Sequence, residues 1–477
     1  MTAPATLRMT VEDFASLAGC HPSPTALRVL RDGQVSRRLL MLMSVADTAR
    51  SSAPEFWESW GAAAWEWCVR AREADVRAFE DVLLHPHVGV WLGRCLRDLN
   101  DPRPAVRASP ECAGLTGLAA AAALRAGLRP HLALPAPGSL VWLPTWGGVR
   151  LTGGVREACL RGDVLDPGGW SPALGERDGP AAHDTTRLAP RHMTAGPPGD
   201  APPLSVILED TDPYRDAHGH PVLPRQTPEE LHAWQLSVAS AWDVVTRLLP
   251  ERAAACAALW TALVPLRPPW TGRGVSSSAR EAYGAIAVSF TTDPVRLAET
   301  VVHETAHIAF GALADLTDLT DPEDRTLQQV GWREDARPVG SVLTGTHAHL
   351  ALLEFWRRRH QELSGRQARA ARARLHHYGR QVVDALRILR GHPALTPVGA
   401  RFVADMVDEA ARCGFPVHPL PSASPLGTSP VRVLSREAPN VTRRRGASSA
   451  VQGAGGPARA PAECGGSTAD ETTPGAG

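Results

Sequence analysis

The chain has 477 residues and a formal net charge of zero, so its length allows two or three domains. The balanced charge excludes the strongly basic surface typical of nucleic-acid and membrane binding. Every basic residue is arginine, because the sequence contains no lysine, and this excludes Walker-type nucleotide binding, pyridoxal Schiff bases and the kinase lysine.

Residues 1–130 are predicted to form a helical region. The N-terminus lacks the apolar segment of a signal peptide, and no apolar run in the chain is long enough to cross a membrane. The eight cysteines are scattered, and we interpret them as reduced thiols, so we expect a cytoplasmic protein. His85 and His87 flank a proline that interrupts the helical pattern, and we interpret both histidines as structural.

Residues 131–220 are dense in proline and glycine and are predicted to form a β-rich region. Its candidate strands begin at Leu140, Gly148 and Leu204. The last of these strands runs into an acidic loop at residues 209–215. The loop could bind a cation, but turn formation explains its Asp and Pro residues equally well.

Residues 221–415 are predicted to form a helical domain that carries the main metal-binding motif. A long helical pattern begins at Pro228, and residues 284–290 are predicted to form a strand directly before the motif. A strand beside such a helix is how zinc peptidases present an edge to an extended peptide. Residues 420–477 contain almost no large apolar residues and are predicted to be disordered. The predicted fold class is therefore α+β and helix-rich, with an N-terminal helical region, a small central β region and C-terminal metal-binding helices.

The most informative motif is the His-Glu-Thr-Ala-His sequence that begins at His303. Asp293 is a suitable N-cap and Pro294 suits the first helical position, so the motif is predicted to lie on a helix. His303 and His307 then leave the same face about one turn apart, where two neutral imidazoles can bind one divalent ion. Glu304 points roughly 100° away around the axis. It is the candidate catalytic residue, placed to contact a metal-bound water or a second-shell group.

A third metal ligand is expected from a helix predicted over residues 340–360. His349 lies on one stripe of that helix, whereas His347 and Glu354 lie on another. Either histidine would give a three-histidine site, and Glu354 would give two histidines and a carboxylate. Spacing alone leaves these three alternatives open.

Arg333 and Arg337 lie four residues apart in a segment that ends in proline. A guanidinium group suits bidentate binding of a carboxylate, such as that of a keto-acid co-substrate or a peptide C-terminus. The alternative for both arginines is an ion pair with Glu334, Asp335 or another acidic residue.

Several segments in this order resemble the bacterial HEXXH motif domain family, which is associated with ribosomally synthesised and modified peptides. The segments that carry the resemblance are Phe14-Ala-Ser-Leu-Ala, Gln34-Val-Ser-Arg-Arg-Leu-Leu, Leu83-Leu-His-Pro-His-Val-Gly-Val-Trp, Asp210-Thr-Asp-Pro-Tyr-Arg, Ser278-Ala-Arg-Glu-Ala-Tyr-Gly-Ala, His303-Glu-Thr-Ala-His, Trp332-Arg-Glu-Asp-Ala-Arg-Pro and Ala348-His-Leu-Ala-Leu-Leu-Glu-Phe-Trp. Together they span about residues 8–360. Their ordered co-occurrence is far more specific than the metal-binding motif alone.

The resemblance implies an Fe(II)- and 2-oxoglutarate-dependent dioxygenase that hydroxylates β-carbons of a ribosomally synthesised precursor peptide. It implies that His303 and His307 bind the metal with His349 as third ligand, and the chemistry of arginine makes Arg333 or Arg337 the candidate contact for 2-oxoglutarate. A radical-type maturase encoded in the same gene cluster is an expected partner. The motif taken alone favours a zinc metallopeptidase, and a third alternative is a peptide-binding or metal-binding protein without turnover.

Overall fold

The computed structural model describes residues 7–103, 110–151, 154–166, 185–196, 202–270 and 274–418. In this part of the chain the fold is α+β and helix-rich, as predicted. The segment 420–477, which is predicted to be disordered, lies outside the described residues. None of the helices described here combines the length and the apolar character that crossing a membrane requires.

Helices form most of the N-terminal region. They are α1 (Val11–Ala18), α2 (Pro24–Ser52), α3 (Pro54–Phe56), α4 (Ala62–Ala74), α5 (Val76–Leu83), α6 (Pro86–Leu99) and α7 (Gly114–Arg125). A π-helical segment, Trp57–Gly61, joins α3 to α4. Pro86 occupies the first turn of α6, so this proline separates two helices as the sequence predicts.

A second group of helices follows the β region. They are α8 (Pro228–Leu248), α9 (Pro250–Leu259), α10 (Pro294–Ala314), α11 (Val339–Glu362), α12 (Gly365–Leu389) and α13 (Pro397–Arg412). The helical pattern that begins at Pro228 is divided between two helices, because Pro250 cannot continue α8 and instead starts α9. The predicted metal-binding helix is α10, and the helix predicted over residues 340–360 is α11.

The strands form four sheets. They are β1 (His131–Pro135), β2 (Leu140–Leu143), β3 (Gly147–Leu151), β4 (Glu157–Arg161), β5 (Val164–Asp166), β6 (Thr185–Leu188), β7 (Arg191–Ala195), β8 (Leu204–Leu208), β9 (Ala262–Leu266), β10 (Ser276–Ser277), β11 (Ala285–Ser289), β12 (Leu327–Gln328) and β13 (Arg337–Pro338). The largest sheet has the order β10-β11-β9-β8-β7, and its three inner strands are parallel. Two three-stranded sheets, β1-β4-β5 and β2-β3-β6, and the pair β12-β13 complete the set.

The strand predicted over residues 284–290 is β11, but it is not a sheet edge. It pairs with β9 on one side and with β10 on the other, where Ser276 lies opposite Val288. The prediction of an open edge at this strand is therefore wrong, because a short strand contributed by the preceding loop covers it. The edge of the sheet nearest to α10 is β10.

Two hydrophobic cores are present, and α2 contributes to both. The first contains Leu30 of α2 together with residues of α8 to α13, among them Trp234 and Phe355. The second contains Leu42 of α2 together with Trp91 of α6 and side chains of α7 and the first sheets. The N-terminal helices therefore pack directly into the core that supports the metal-binding helix.

Gly89 marks a close approach of α6 to the chain before β11. A Cβ atom at position 89 would lie 2.2 Å from the carbonyl oxygen of Glu281, a backbone atom that cannot turn aside as a flexible side chain can. We expect Gly89→Ala to lower the free energy of unfolding by about 1–3 kcal/mol through overpacking. Gly93→Ala, one turn later on the same helix, meets no atom closer than 3.8 Å and should be neutral or stabilising by up to about 1 kcal/mol. Denaturant unfolding of both variants tests this difference, and equal stabilities would contradict it.

Candidate metal centre

The N-terminus of α10 is capped as predicted, since the Asp293 carboxylate accepts hydrogen bonds from the backbone N–H groups of Val295 and Arg296. The helix then places His303 and His307 on one face, with their Nε2 atoms 3.2 Å apart. Two nitrogens bound to one ion at about 2.0–2.1 Å lie roughly 3.0–3.4 Å from each other. The two imidazoles therefore have the separation of two ligands of one metal ion.

His349 approaches the same point from α11, which packs against α10. Its ring centroid lies 5.5 Å from that of His303 and 4.6 Å from that of Trp332. Its Nδ1 atom is buried and has no hydrogen-bond partner among the described residues. A buried imidazole without hydrogen bonds loses its solvation unless another ligand replaces it, so this side chain suits a metal ligand.

The imidazoles are in the protonation state that binds metals. Burial, together with the neighbouring His303, lowers the pKa of His307 well below its usual value and that of His349 to about 3. Both rings are therefore neutral at pH 7, and each has a nitrogen lone pair available for a cation.

The other two candidate third ligands face elsewhere. His347 lies 2.8 Å from the carbonyl oxygen of Leu17 through Nε2, and its ring packs between aromatic side chains in the first core. Glu354 accepts hydrogen bonds from Arg357 and Arg358. Burial alone would raise the pKa of Glu354, but these two arginines lower it to about 2. The structure thus brings His349 to the motif and engages His347 and Glu354 in other contacts.

Glu304 is buried beside the two motif histidines. One carboxylate oxygen accepts a hydrogen bond from Ser276 at 2.8 Å, and the other accepts one from Ser278 at 2.8 Å. These hydroxyls fix the orientation of the carboxylate and connect α10 to the edge strand β10. Glu304 is therefore positioned as an anchored carboxylate next to the candidate metal site.

Two cavities open on either side of the motif, and both include His303 and Ser276 in their walls. The first, of about 540 Å³, is lined by Ser276, Asp293, Val295, Arg296, Glu299, Thr300, His303, His349, Leu352, Trp356, Arg374 and Tyr378. The second, of about 420 Å³, is lined by Ser276, Ser277, Ser278, Ala279, Arg280, Tyr283, His303, Glu304, His307, Ile308, Phe310, Gly311, Ala314 and Thr344. The two cavities therefore meet at the motif, where His303 borders both.

Arg333 and Arg337 lie outside the walls of both cavities. Arg333 Nε is 2.9 Å and Arg337 Nη2 is 2.8 Å from oxygens of Asp335; Arg333 and Asp335 are exposed and Arg337 is half-buried. This is the ion-pair alternative that the sequence left open. The residue of this segment that contacts the candidate metal site is Trp332, whose ring packs edge-on against that of His349.

The sequence did not single out the arginines of the first cavity. Arg296 lies on α10, and Arg374 lies on α12 one turn before Tyr378. No carboxylate lies within ion-pair distance of either guanidinium in the described part of the chain. Glu299, the nearby acid on α10, instead accepts hydrogen bonds from Tyr378 and Trp356. In the sequence, Arg374 is marked only by its position four residues before Tyr378 in the predicted helical domain. Many surface arginines lie at such a spacing from a tyrosine, so the pattern does not indicate a site.

The two histidines of α11 give a direct test of the third ligand. We expect His349→Ala to lose the metal ion of this centre, because it removes one of three nitrogen ligands. We expect His347→Ala to keep the ion but to lower the free energy of unfolding by about 2–4 kcal/mol, since it removes a buried, hydrogen-bonded ring. Metal analysis and denaturant unfolding measure both effects. Full metal content in His349→Ala with loss in Glu354→Ala would contradict the assignment.

A second group of ligand side chains lies apart from this motif. One donor atom from each of four buried residues, His85, His87, Glu209 and Asp212, lies within 4.8 Å of every other, and no other such group is present in the described residues. His303, His307 and His349 do not form such a group. The side chain of His349 would therefore have to adjust before the three imidazoles could surround one ion. In these four residues, called the His/carboxylate cluster below, the sequence led us to interpret the histidines as structural and the acidic loop either as a turn or as a cation site.

No model of a known protein family matches the sequence, and no curated protein is similar to it. The family resemblance therefore has only the ordered motifs as its support. The function is accordingly proposed from those motifs and from the contacts of the site.

Proposed function

We propose that the protein is an Fe(II)- and 2-oxoglutarate-dependent peptide β-hydroxylase that acts on a ribosomally synthesised precursor peptide in the cytoplasm. The observation that carries this proposal is a single cavity that joins His303 and His349 to two arginines, neither of which has a carboxylate partner among the described residues. A metal-bound keto acid needs this combination, because one end of the molecule binds the metal and the other end carries a carboxylate.

The donor set fits iron. Imidazole nitrogen is a common ligand of Fe(II), and three ligands on one side of an ion leave positions for a bidentate keto acid and for O₂. His303, His307 and His349, from the packed helices α10 and α11, are the residues that would hold the ion. When bound there, Fe(II) with 2-oxoglutarate and O₂ supplies the oxidant, and the reaction yields succinate, CO₂ and one new C–O bond in the substrate.

Within the first cavity, Arg374 is the better candidate for the distal carboxylate of 2-oxoglutarate. It lies beside Tyr378, whose hydroxyl hydrogen-bonds Glu299, and its guanidinium lies 5.9 Å from the centre of the Trp356 ring. These neighbours hold a planar guanidinium in the wall of the cavity that His303 and His349 also line, which suits a bidentate contact. Arg296 is the alternative, on the same cavity wall as Thr300.

The edge strand β10 is the proposed site for the peptide. Ser276 and Ser277 pair with β11 on one side only, so the other side has backbone groups available for an extended chain. The second cavity follows this strand past Glu304 to His307. A peptide bound along β10 would place one side chain near the metal position, and we propose a precursor peptide with its radical-type maturase as the partners.

A zinc-dependent metallopeptidase is the alternative, and the position of Glu304 beside His303 favours it. A peptidase uses this glutamate to accept a proton from metal-bound water. In this protein both carboxylate oxygens of Glu304 already accept hydrogen bonds from serine hydroxyls. Such anchoring favours an orienting role for the carboxylate, and hydrolysis by a peptidase needs no keto-acid co-substrate for the arginines of the first cavity to bind.

Anaerobic titration distinguishes these two functions. We expect the protein loaded with Fe(II) to develop a visible metal-to-ligand charge-transfer band when 2-oxoglutarate is added without oxygen. The band reports that the keto acid has bound the metal directly. Succinate is the matched control, because it has the carboxylates but lacks the keto group. An unchanged spectrum with 2-oxoglutarate, together with zinc-dependent peptide hydrolysis, would contradict the proposal.

A further inference from the structure

The His/carboxylate cluster connects two distant parts of the chain. His85 and His87 lie at the start of α6, and Glu209 and Asp212 lie in the loop that follows β8. All four side chains are at least nine-tenths buried. The fold thus brings together four buried side chains that could bind a metal, from two segments far apart in the sequence.

Three atoms of the cluster that could bind a metal face one another and have no hydrogen bonds. Asp212 Oδ2 lies 3.6 Å from His85 Nδ1 and 3.6 Å from His87 Nδ1, which is beyond hydrogen-bond distance. All three atoms are buried and without a partner among the described residues. Buried polar atoms normally have a partner. Three such atoms that converge on one point therefore indicate a ligand between them.

The charges of the cluster are also unbalanced. Glu209 and Asp212 contribute two carboxylates, and no arginine lies within ion-pair distance of either one in the described part of the chain. Buried carboxylates require a counter-charge, and the imidazoles of His85 and His87 are the nearest groups that could carry one. One divalent cation would neutralise both.

We propose that the His/carboxylate cluster binds one divalent first-row transition-metal ion, such as Zn²⁺. Two imidazole nitrogens and carboxylate oxygen form a donor set typical of such ions. Because the four side chains are buried, the ion is structural and fixes the start of α6 against the loop after β8. This site is separate from the proposed iron centre and does not depend on the proposed function.

The surroundings of the cluster fit a metal site. Glu209 Oε2 lies 3.3 Å from His85 Nε2, the arrangement in which a carboxylate orients a ligating imidazole, or it serves as a fourth ligand. Arg38 is fully buried and donates hydrogen bonds to the carbonyl oxygens of Leu83 and His85, which fixes the turn before α6. His85 also borders a cavity of about 380 Å³ that offers the ion a route from solvent.

Metal analysis of the full chain tests the proposal. The protein is stripped with a chelator, incubated with excess Zn²⁺, and freed of unbound metal. We expect the His303→Ala/His307→Ala variant, which lacks the motif ligands, to retain one zinc per chain. Adding Asp212→Asn should reduce this to nearly none. Adding Asp216→Asn instead, an exposed aspartate of the same loop that pairs with Arg94, should leave one.

The outcomes separate the second site from the proposed iron centre. No zinc in the His303→Ala/His307→Ala variant would overturn the proposal, as would one zinc that survives Asp212→Asn. His87→Gln provides an independent removal of a ligand if Asp212→Asn does not fold, and it should also lose the ion. Wild-type protein that binds one zinc only, kept in His303→Ala/His307→Ala and lost in Asp212→Asn, would support this site while contradicting the proposed iron centre.

Discussion

His303→Ala and His307→Ala are each expected to lose one equivalent of tightly bound metal relative to wild-type protein and to be inactive. The reason is the 3.2 Å separation of the two Nε2 atoms, which matches the separation of two nitrogen ligands of one ion. With one imidazole removed, the centre retains two nitrogen ligands at most, too few to compete with a chelator. Metal analysis after chelator treatment measures the loss.

Circular dichroism gives the control for this prediction. Both histidines are partly exposed on one face of α10, and the opposite face supplies Val301 and Ile308 to the core. We therefore expect helical content to remain close to that of wild type. A variant that keeps the full metal content of wild type would show that the motif histidines are not ligands.

Arg374→Ala is expected to raise the 2-oxoglutarate concentration needed for half-maximal rate by roughly 10- to 100-fold. The estimate follows from the loss of hydrogen bonds to a charged group, which contribute about 1.5–3 kcal/mol. Arg374→Lys keeps the charge but loses the planar fork, so it should recover only part of the affinity. Steady-state kinetics with varied 2-oxoglutarate measure the effect.

Arg333→Ala is the matched control, because its guanidinium pairs with Asp335 outside both cavities. We expect its dependence on 2-oxoglutarate to stay within about twofold of wild type, as is usual for an exposed ion pair. If Arg333→Ala weakens 2-oxoglutarate binding while Arg374→Ala and Arg296→Ala do not, the carboxylate site lies at Arg333 and the first cavity has another role.

The metal-binding helix could be predicted from the sequence because its signals are local. Asp293 and Pro294 define its start, and the period of an α-helix alone places His303 and His307 on one face. His349 was predicted as third ligand from its stripe on α11 and from the family resemblance. The choice against His347 depends on the carbonyl oxygen of Leu17, far away in the chain, which no local pattern encodes.

The co-substrate residues could not be predicted in the same way. Arg333 and Arg337 had the right chemistry, but Asp335 between them provides a partner only two residues from each. Arg374 reaches the cavity because α12 packs against α11, a tertiary contact without a local signal. The same holds for His87 and Asp212, which the sequence places in unrelated segments and the fold brings together.

The most direct test of the proposed reaction is incubation with Fe(II), 2-oxoglutarate and ¹⁸O₂, using short peptides encoded beside the gene as substrates. Hydroxylation should add the mass of one oxygen atom to a peptide, about 18 Da from the heavy isotope, and release succinate in equal amount. Omission of 2-oxoglutarate, or the His303→Ala substitution, should abolish both products. Peptide cleavage that proceeds with zinc, without oxygen and without 2-oxoglutarate, would contradict the hydroxylase and identify a metallopeptidase.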